Sequence, residues 1–354
     1  MKVMFIIPRM VGGGAERVIS VLANEFVNRQ IVVKILMTAG DDMAYKLDER
    51  IGVIQVGGRT DGSILKRIVR ILRMRKIFRK NRDHILIAFE PTTAFFSCLA
   101  KTGLKMNLIS SERNDPESFP NKKIREYAFL YSDKVVFQTQ AAMSYFQKKI
   151  RKKGVVIANP IAQNLPQAYN GPRKHTVIAA GRLTEQKNHA CLFHAFHKFL
   201  QKFPDYVLHL YGEGELEQAL KDLALDLGIR ENVIFEGFHE DILNEIKDGG
   251  MYVLSSDYEG ISNSLLEAMG MGMPVISTDC PCGGSRMCIL NEVNGLLVPV
   301  GNSDTLCNAM EQMAESEEKA AKMGKEAAKV RERFSLQSIL KEWFDLFSEV
   351  QKGK

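Results

Sequence analysis

The stretch Asp257-Tyr258-Glu259-Gly260-Ile261-Ser262-Asn263-Ser264-Leu265-Leu266-Glu267-Ala268-Met269 sets two carboxylates, Glu259 and Glu267, on either side of a loop-to-helix junction with seven residues between them. Residues 260–264 are of the capping type, and Leu265 onward reads as the first turns of a helix that Ser262 or Asn263 would cap. A helix start presents unpaired N–H groups and the positive end of the macrodipole, and both attract phosphate. Carboxylates just outside and one turn inside that end repel an anion but accept hydrogen bonds from sugar hydroxyls. A ligand with a diphosphate between two polyol rings, such as a nucleotide-sugar, meets both requirements.

These residues resemble the Glu-x7-Glu signature of retaining glycosyltransferases of family 4, which have the GT-B fold. The resemblance implies that Glu259 faces the donor sugar, that Glu267 holds the ribose, and that Gly260, Ile261, Ser262 and Asn263 line the donor site. It also implies an α/β chain of two Rossmann-like domains facing across a cleft, with a C-terminal helix crossing back to the N-terminal domain. Independently, strand-like and helix-like stretches alternate along the chain, as parallel sheets wrapped by helices require.

Length and composition set the outer bounds. A chain of 354 residues suggests two domains. The expected division is an acceptor-binding, membrane-facing domain at 1–160, a Pro/Asn/Gln/Gly-rich linker at 161–172, a donor-binding domain at 173–335 and a returning helix at 336–354. No run of about 18 apolar residues suggests a transmembrane helix, and residues 1–8 lead into a Gly-rich turn rather than a signal peptide. Six cysteines without metal spacing read as reduced thiols, so a cytoplasmic setting is expected. The net charge of +6 is unevenly placed. Residues 1–153 carry 29 Lys and Arg against 14 Asp and Glu, a surplus of 15, and the remainder has a deficit of 9. That asymmetry points to an anionic partner for the first half alone.

In that half, Val11-Gly12-Gly13-Gly14-Ala15-Glu16-Arg17 joins a buried strand at 3–7 to a helix at 15–28. Its spacing is not that of a dinucleotide-binding G-x-G-x-x-G loop, and no acid ends the next strand. It resembles the family's first-domain Gly-rich loop, which makes Gly13, Gly14 and Glu16 donor-site candidates; a plain tight turn is the alternative. From Asp61 onward runs a basic stretch in which residues 64–82 hold nine positive charges and no acid. On a helical wheel Ile64, Leu65, Ile68, Ile71 and Leu72 share one face, with Lys66, Arg67, Arg70 and Arg73 opposite. This reads as a surface for anionic headgroups or a lipid-borne diphosphate, with a solvated core-packing helix as the alternative. With Phe78 as its sole aromatic the stretch offers no stacking for nucleic acid, so no nucleic-acid partner is expected. A second basic run, residues 148–153, is expected on the same face.

A strand at 85–89 ends in Glu90-Pro91-Thr92-Thr93, at the polar edge where open α/β sheets place ligands. The strand at 107–110 leads to Glu112-Arg113-Asn114-Asp115-Pro116. Many family members carry a His near this point; here Arg113 stands there, which removes a proton relay and leaves a cation for a phosphate. Glu90, Asn114 and Asp115 are acceptor-side candidates, and a simple turn accounts equally for Asn114 and Asp115.

In the second half, Gly181-Arg182-Leu183-Thr184-Glu185-Gln186-Lys187-Asn188 follows a strand, and an Arg and a Lys five residues apart can clamp a diphosphate. The family resemblance gives Arg182 and Lys187 that role, and puts the turns at Gly212 and Gly237 against the nucleotide. His189, His194 and His197 read as helix-surface residues. The chain has no Asp-x-Asp pair, so no cofactor or metal is expected: Arg182, Lys187 and the helix start supply the field for the leaving diphosphate. The expected function is retaining transfer of a hexose or N-acetylhexosamine from a UDP-sugar to a lipid-diphosphate-linked glycan, on the cytoplasmic face of an inner membrane with an anionic surface. The alternatives are a GT-B-fold nucleotide-sugar epimerase and an inactive membrane-bound nucleotide-sugar scaffold.

Overall fold

The computed structural model describes residues 1–58, 63–239 and 241–352; Asp61 and Gly62, which open the basic stretch, lie outside them. The chain divides into two compact units, one formed by Met1–Pro160 with Ile339–Lys354 and the other by Ile161–Ser338.

The first unit is built on a seven-stranded sheet. Its elements are β1 (Lys2–Ile7), α1 (Gly14–Asn28), β2 (Val32–Met37), β3 (Gly52–Gln55), α2 (Ile64–Lys80), β4 (Ile85–Phe89), α3 (Pro91–Lys101), β5 (Leu108–Ser111), α4 (Lys122–Tyr131), β6 (Lys134–Phe137), α5 (Gln140–Ser144), α6 (Lys148–Arg151) and β7 (Gly154–Val156). All neighbours are parallel, in the order β3-β2-β1-β4-β5-β6-β7. Strands covered on both faces must be apolar throughout, and residues 3–7 and 85–89 are indeed buried end to end. The chain moves outward one way from β1 to β3 and the other way from β4 to β7. Right-handed crossovers therefore place α1 on one face and α2, α3, α4 and α6 together on the other. The direction reverses between β1 and β4, so the loops after these two strands form the natural ligand edge.

The second unit repeats the plan with six parallel strands in the order β10-β9-β8-β11-β12-β13. Here β8 (Thr176–Ala180), α7 (His189–Leu200), β9 (Val207–Tyr211), α8 (Glu217–Asp226), β10 (Val233–Gly237), α9 (Leu243–Ile246) and β11 (Met251–Leu254) are followed by α10 (Asn263–Gly270), β12 (Val275–Thr278), α11 (Gly284–Cys288) and β13 (Leu296–Val298). Three helices, α12 (Ser303–Glu315), α13 (Glu317–Ala327) and α14 (Val330–Arg333), close the unit. Its core joins Phe193, Phe196 and Phe199 of α7 to Leu208, Leu210, Val253 and Ile276 of the sheet and Met310 of α12. Residues 161–172 belong to this unit: Ile161, Ala162 and Leu165 are buried, and the Ile161 N–H donates to the Phe334 carbonyl at 2.8 Å.

The final helix, α15 (Leu336–Lys352), contributes its residues from Ile339 onward to the first unit. It packs beside α1, where Phe26 meets Phe344 and Phe347 at 5.7 and 5.6 Å. Asn107 donates to the Val350 carbonyl at 3.0 Å, Lys134 pairs with Glu349 at 2.6 Å, and Trp343 is fully buried. All six cysteines are buried. Among the described residues, no helix is long and apolar enough to cross a membrane.

Candidate active site

The candidate residues gather into two clusters, one in each unit. In the second unit the direction reverses between β8 and β11, and the loops that follow these strands are bonded to each other. The Asp257 N–H donates to the Gln186 carbonyl at 2.9 Å, Gln186 Nε2 donates to the Tyr258 carbonyl at 2.9 Å, and Asn188 Nδ2 donates to Asp257 Oδ1 at 2.7 Å. Ser255 Oγ donates to the Lys187 carbonyl at 2.9 Å. This lacing carries Lys187 onto Glu259: Nζ pairs with Oε1, and the two side chains are 13% and 12% exposed. Ser256 Oγ adds a bond to the same carboxylate oxygen at 3.3 Å. Arg182, on the same loop as Lys187, is exposed.

The helix start takes the cap that the spacing allows. Ser262 is extended (φ −72°, ψ 122°); its hydroxyl accepts from the Leu265 N–H at 3.4 Å and its carbonyl accepts from the Leu266 N–H at 3.1 Å, so one residue caps the start of α10. Ser264 ties this end to β8: its hydroxyl receives Tyr252 OH at 2.7 Å and donates to the Ala180 carbonyl at 3.3 Å. Glu267 is buried one turn inside the helix. Two glycines are obligatory for this packing. A Cβ on Gly284 would lie 1.7 Å from the Gly260 carbonyl oxygen, and one on Gly212, whose φ is +125°, would lie 2.0 Å from that of Gly181. Gly212 also donates to the Gly237 carbonyl at 2.7 Å, so the turns at 181, 212 and 237 line up at one sheet edge.

Several contributors were missed in the sequence. Asp257, Ser256, Gln186 and Tyr252 hold the site, and the Cys282 thiol donates to the Glu259 carbonyl. His189, read as a surface residue, is buried at the start of α7; burial, with Lys187 beside it, lowers its pKa to about 4 and keeps it neutral. His194 is exposed and His197 half-buried.

In the first unit, Gly13 caps α1 with no side chain of its own, and the Glu16 carboxylate folds back over it: a Cβ at Gly13 would stand 2.3 Å from Glu16 Oε2. The Gly13 carbonyl accepts from Tyr45 OH at 3.0 Å, and Gly14 opens the helix. Glu90 sits at the β4–α3 junction with φ +78° and ψ 142°, a backbone conformation rare for a residue with a side chain. Burial, with Glu16 nearby, pushes its carboxyl up to about 7 against the pull of Arg9. Burial likewise raises Glu112 to about 7 although Arg125 lies 3.8 Å away. Arg113 lies 4.4 Å over the Phe89 ring and gives Nη1 to Asn159 Oδ1 at 3.1 Å; burial lowers its pKa to about 9. Asn114 and Asp115 build the turn that follows. Asn114 Oδ1 accepts from the Asp115 N–H at 2.9 Å, and buried Asp115 caps Pro116–Ser118 through the Glu117 N–H at 2.8 Å.

The basic helix departs from the helical-wheel reading at one residue, Arg70. Arg70, grouped by the wheel with Lys66, Arg67 and Arg73 as part of a charged surface, is buried 5.5 Å over the Phe96 ring, in line with Met74 and Phe78. Ile64, Leu65, Ile68, Val69 and Leu72 instead face solvent, at 76, 70, 49, 38 and 60% exposure. The reason is a competing stripe: Arg70, Met74 and Phe78 recur every four residues, and Arg75 locks that choice by donating to the Ala100 and Thr102 carbonyls at the end of α3, at 3.0 and 2.6 Å. Lys66, Arg67 and Arg73 are exposed, and Arg73 reaches the Val56 carbonyl at 3.3 Å.

Two all-parallel, helix-wrapped sheets in tandem, with loops gathered at the reversal point of each, define the GT-B class of two Rossmann-like units. Residues 163–330 match the family described as glycosyl transferases group 1, and residues 12–164 match glycosyltransferase family 4. The chain therefore belongs to the group 1 glycosyltransferases of GT-B fold. It is 25% identical to an uncharacterized glycosyltransferase of Haemophilus influenzae, across 94% of this chain and 95% of that protein. It is 26% identical, across the whole of both chains, to the Campylobacter jejuni GalNAc-alpha-(1->4)-GalNAc-alpha-(1->3)-diNAcBac-PP-undecaprenol alpha-1,4-N-acetyl-D-galactosaminyltransferase. Among solved structures, Anabaena HepE in complex with UDP superimposes with a TM-score of 0.82 at 19% identity, over 99% of this chain and 100% of that one.

Proposed function

We propose that the enzyme moves a hexose or N-acetylhexosamine from a UDP-sugar to a lipid-diphosphate-linked glycan, with retention at the anomeric carbon and without a metal ion, at the cytoplasmic face of a membrane. The observation that carries this reading is the second unit's cluster: a capped helix start, two cations on one loop and two carboxylates with seven residues between them. As the bond from C1 to the diphosphate breaks, negative charge grows on the departing oxygen. Arg182, Lys187 and the positive end of the α10 macrodipole are what would meet it. Glu259 and Glu267 would accept hydrogen bonds from the sugar and the ribose. Support for the diphosphate-lipid acceptor comes from the name of the Campylobacter relative, and support for UDP from the HepE complex. Support for the membrane comes from α2, whose exposed apolar ridge and cations without an acid suit an anionic interface.

The test uses purified protein, a panel of labelled UDP- and GDP-sugars and a polyprenyl-diphosphate glycan, with and without EDTA. Transfer that survives EDTA and yields an anomeric configuration matching the donor, read by NMR, is expected. Turnover abolished by EDTA, or an inverted product, would refute the mechanism. Epimerised donor in the absence of acceptor would replace it with the epimerase reading, and donor binding without turnover would leave a scaffold.

A further inference from the structure

Arg113 is held as a half-filled fork. A guanidinium can offer two parallel N–H pairs to an oxyanion, and the pair formed by Nε and Nη2 matches the two oxygens of a carboxylate or phosphate. In this chain Nη1 is spent on Asn159 Oδ1 at 3.1 Å, and Asn159 is itself fixed by Gln138 Nε2 at 2.8 Å. The guanidinium plane rests on Phe89, which sets its direction. Nε and Nη2 are buried with no hydrogen-bond partner. Buried donors are almost always paired, because an unpaired one forfeits its hydration for nothing. The nearest acid does not fill the place: Glu112 turns Oε1 to the Arg113 backbone N–H at 3.2 Å, and its Oε2 is also without a hydrogen-bond partner.

The structure assigns the Nε–Nη2 edge of Arg113 as a bidentate seat for an oxyanion carried by the substrate. Its position suits that work: it follows β5 and lies against the last residue of β4, at the carboxyl edge of the sheet. Burial that lowers the guanidinium pKa shows the charge to be poorly solvated, so an arriving anion gains more there than at the surface. Two sources share this chemistry, a phosphate of the diphosphate and a carboxylate on an acidic sugar. The seat rests on the proposed function only for which of these brings the anion.

The experiment titrates the full chain calorimetrically with UDP, UDP-glucose, UDP-glucuronate, glucuronate and inorganic pyrophosphate, for wild type, Arg113→Lys and Arg113→Met. If a sugar carboxylate fills the seat, wild type binds UDP-glucuronate at least about tenfold tighter than UDP-glucose, and both substitutions erase the difference. If a phosphate fills it, both substitutions weaken pyrophosphate and all three UDP ligands alike, by about tenfold or more. Lys must fall with Met, because it keeps the charge but not the fork; a Lys variant that binds like wild type overturns the bidentate seat. Variants that fold by circular dichroism and bind every probe within about twofold of wild type overturn it as well, and reduce Arg113 to a packing residue on Phe89. Should wild type bind no UDP, the proposed function fails, and the pyrophosphate and glucuronate arms still decide Arg113.

Discussion

Replacing Lys187 by Met separates two roles that the structure gives this side chain. Its ammonium pairs with Glu259, at 13% and 12% side-chain exposure. Removing one member of a fully buried pair costs about 3–5 kcal/mol, because the other is left charged and dry. Ser256 Oγ remains on Glu259 at 3.3 Å and both groups keep some access to water, which points to the lower end, about 3 kcal/mol. For a unit of this size that corresponds to a fall in Tm of roughly 6–12 °C. Glu259→Gln should lose a similar amount, since it strands the ammonium instead. The double variant Lys187→Met with Glu259→Gln should return to within about 1 kcal/mol of wild type, because neither charge is then buried alone. Turnover behaves differently: each single variant and the double should lose about 10²–10³ in kcat, the usual effect of removing one group that meets developing charge. Calorimetric unfolding of all four proteins, with donor turnover measured beside it, checks both halves. Unchanged Tm in the single variants would refute the burial argument, and activity restored in the double would refute the role in transfer.

Gly284→Ala should abolish UDP binding by forcing the Gly260 loop away from a Cβ at 1.7 Å, whereas alanine at exposed Gly12, where nothing lies within 4 Å, should leave binding intact; isothermal titration distinguishes them. Leu65→Glu with Leu72→Glu should release the protein from phosphatidylglycerol vesicles in a flotation assay without lowering Tm, since each exposed leucine entering lipid contributes about 1.5–3 kcal/mol. Lys66→Glu should weaken flotation at low salt only, by about 1 kcal/mol or more. Glu90 makes stability depend on pH in a defined direction. Its folded pKa of about 7 exceeds the ordinary 4.5, so the stability it contributes is complete below the lower value and is lost as pH rises through the higher one. Urea midpoints from about pH 5 to about pH 8 should therefore decline in wild type and decline less in Glu90→Gln, with Glu112 supplying the remaining slope in the same sense. Equal slopes in the two proteins would refute the assignment to Glu90.

Local chemistry made much of this fold legible in the sequence. The buried strands, the Ser262 cap and the helix at Ser303–Glu315 follow from apolar runs and capping residues that act within a few positions of each other. What stayed hidden depends on distance along the chain or on competition. Lys187 and Glu259 are 72 residues apart, and the lacing that joins them belongs to two loops with no shared pattern. On α2 the wheel showed one apolar stripe, but Met74 and Phe78 with the stem of Arg70 formed another, and tertiary packing on Phe96 decided between them. Within α13, Gly324 packs so closely on Gly272, 52 positions earlier in the chain, that a Cβ would stand 2.1 Å from its carbonyl oxygen. The strained backbone of Glu90 leaves no mark in composition at all.

The resting pair between Lys187 and Glu259 bears on how a donor would be recognised. The two side chains satisfy each other, so a phosphate seeking Lys187 competes with a carboxylate already paired to it. A bare nucleotide diphosphate offers nothing to Glu259 in exchange, and drawing Lys187 away leaves that carboxylate stranded. A nucleotide-sugar brings hydroxyl donors for Glu259 together with phosphate acceptors for Lys187, so both partners of the broken pair are satisfied at once. On the proposed reading the two halves of the ligand are therefore bound cooperatively, and the sugar should add more affinity in wild type than in the charge-free double variant, where no pair has to be opened.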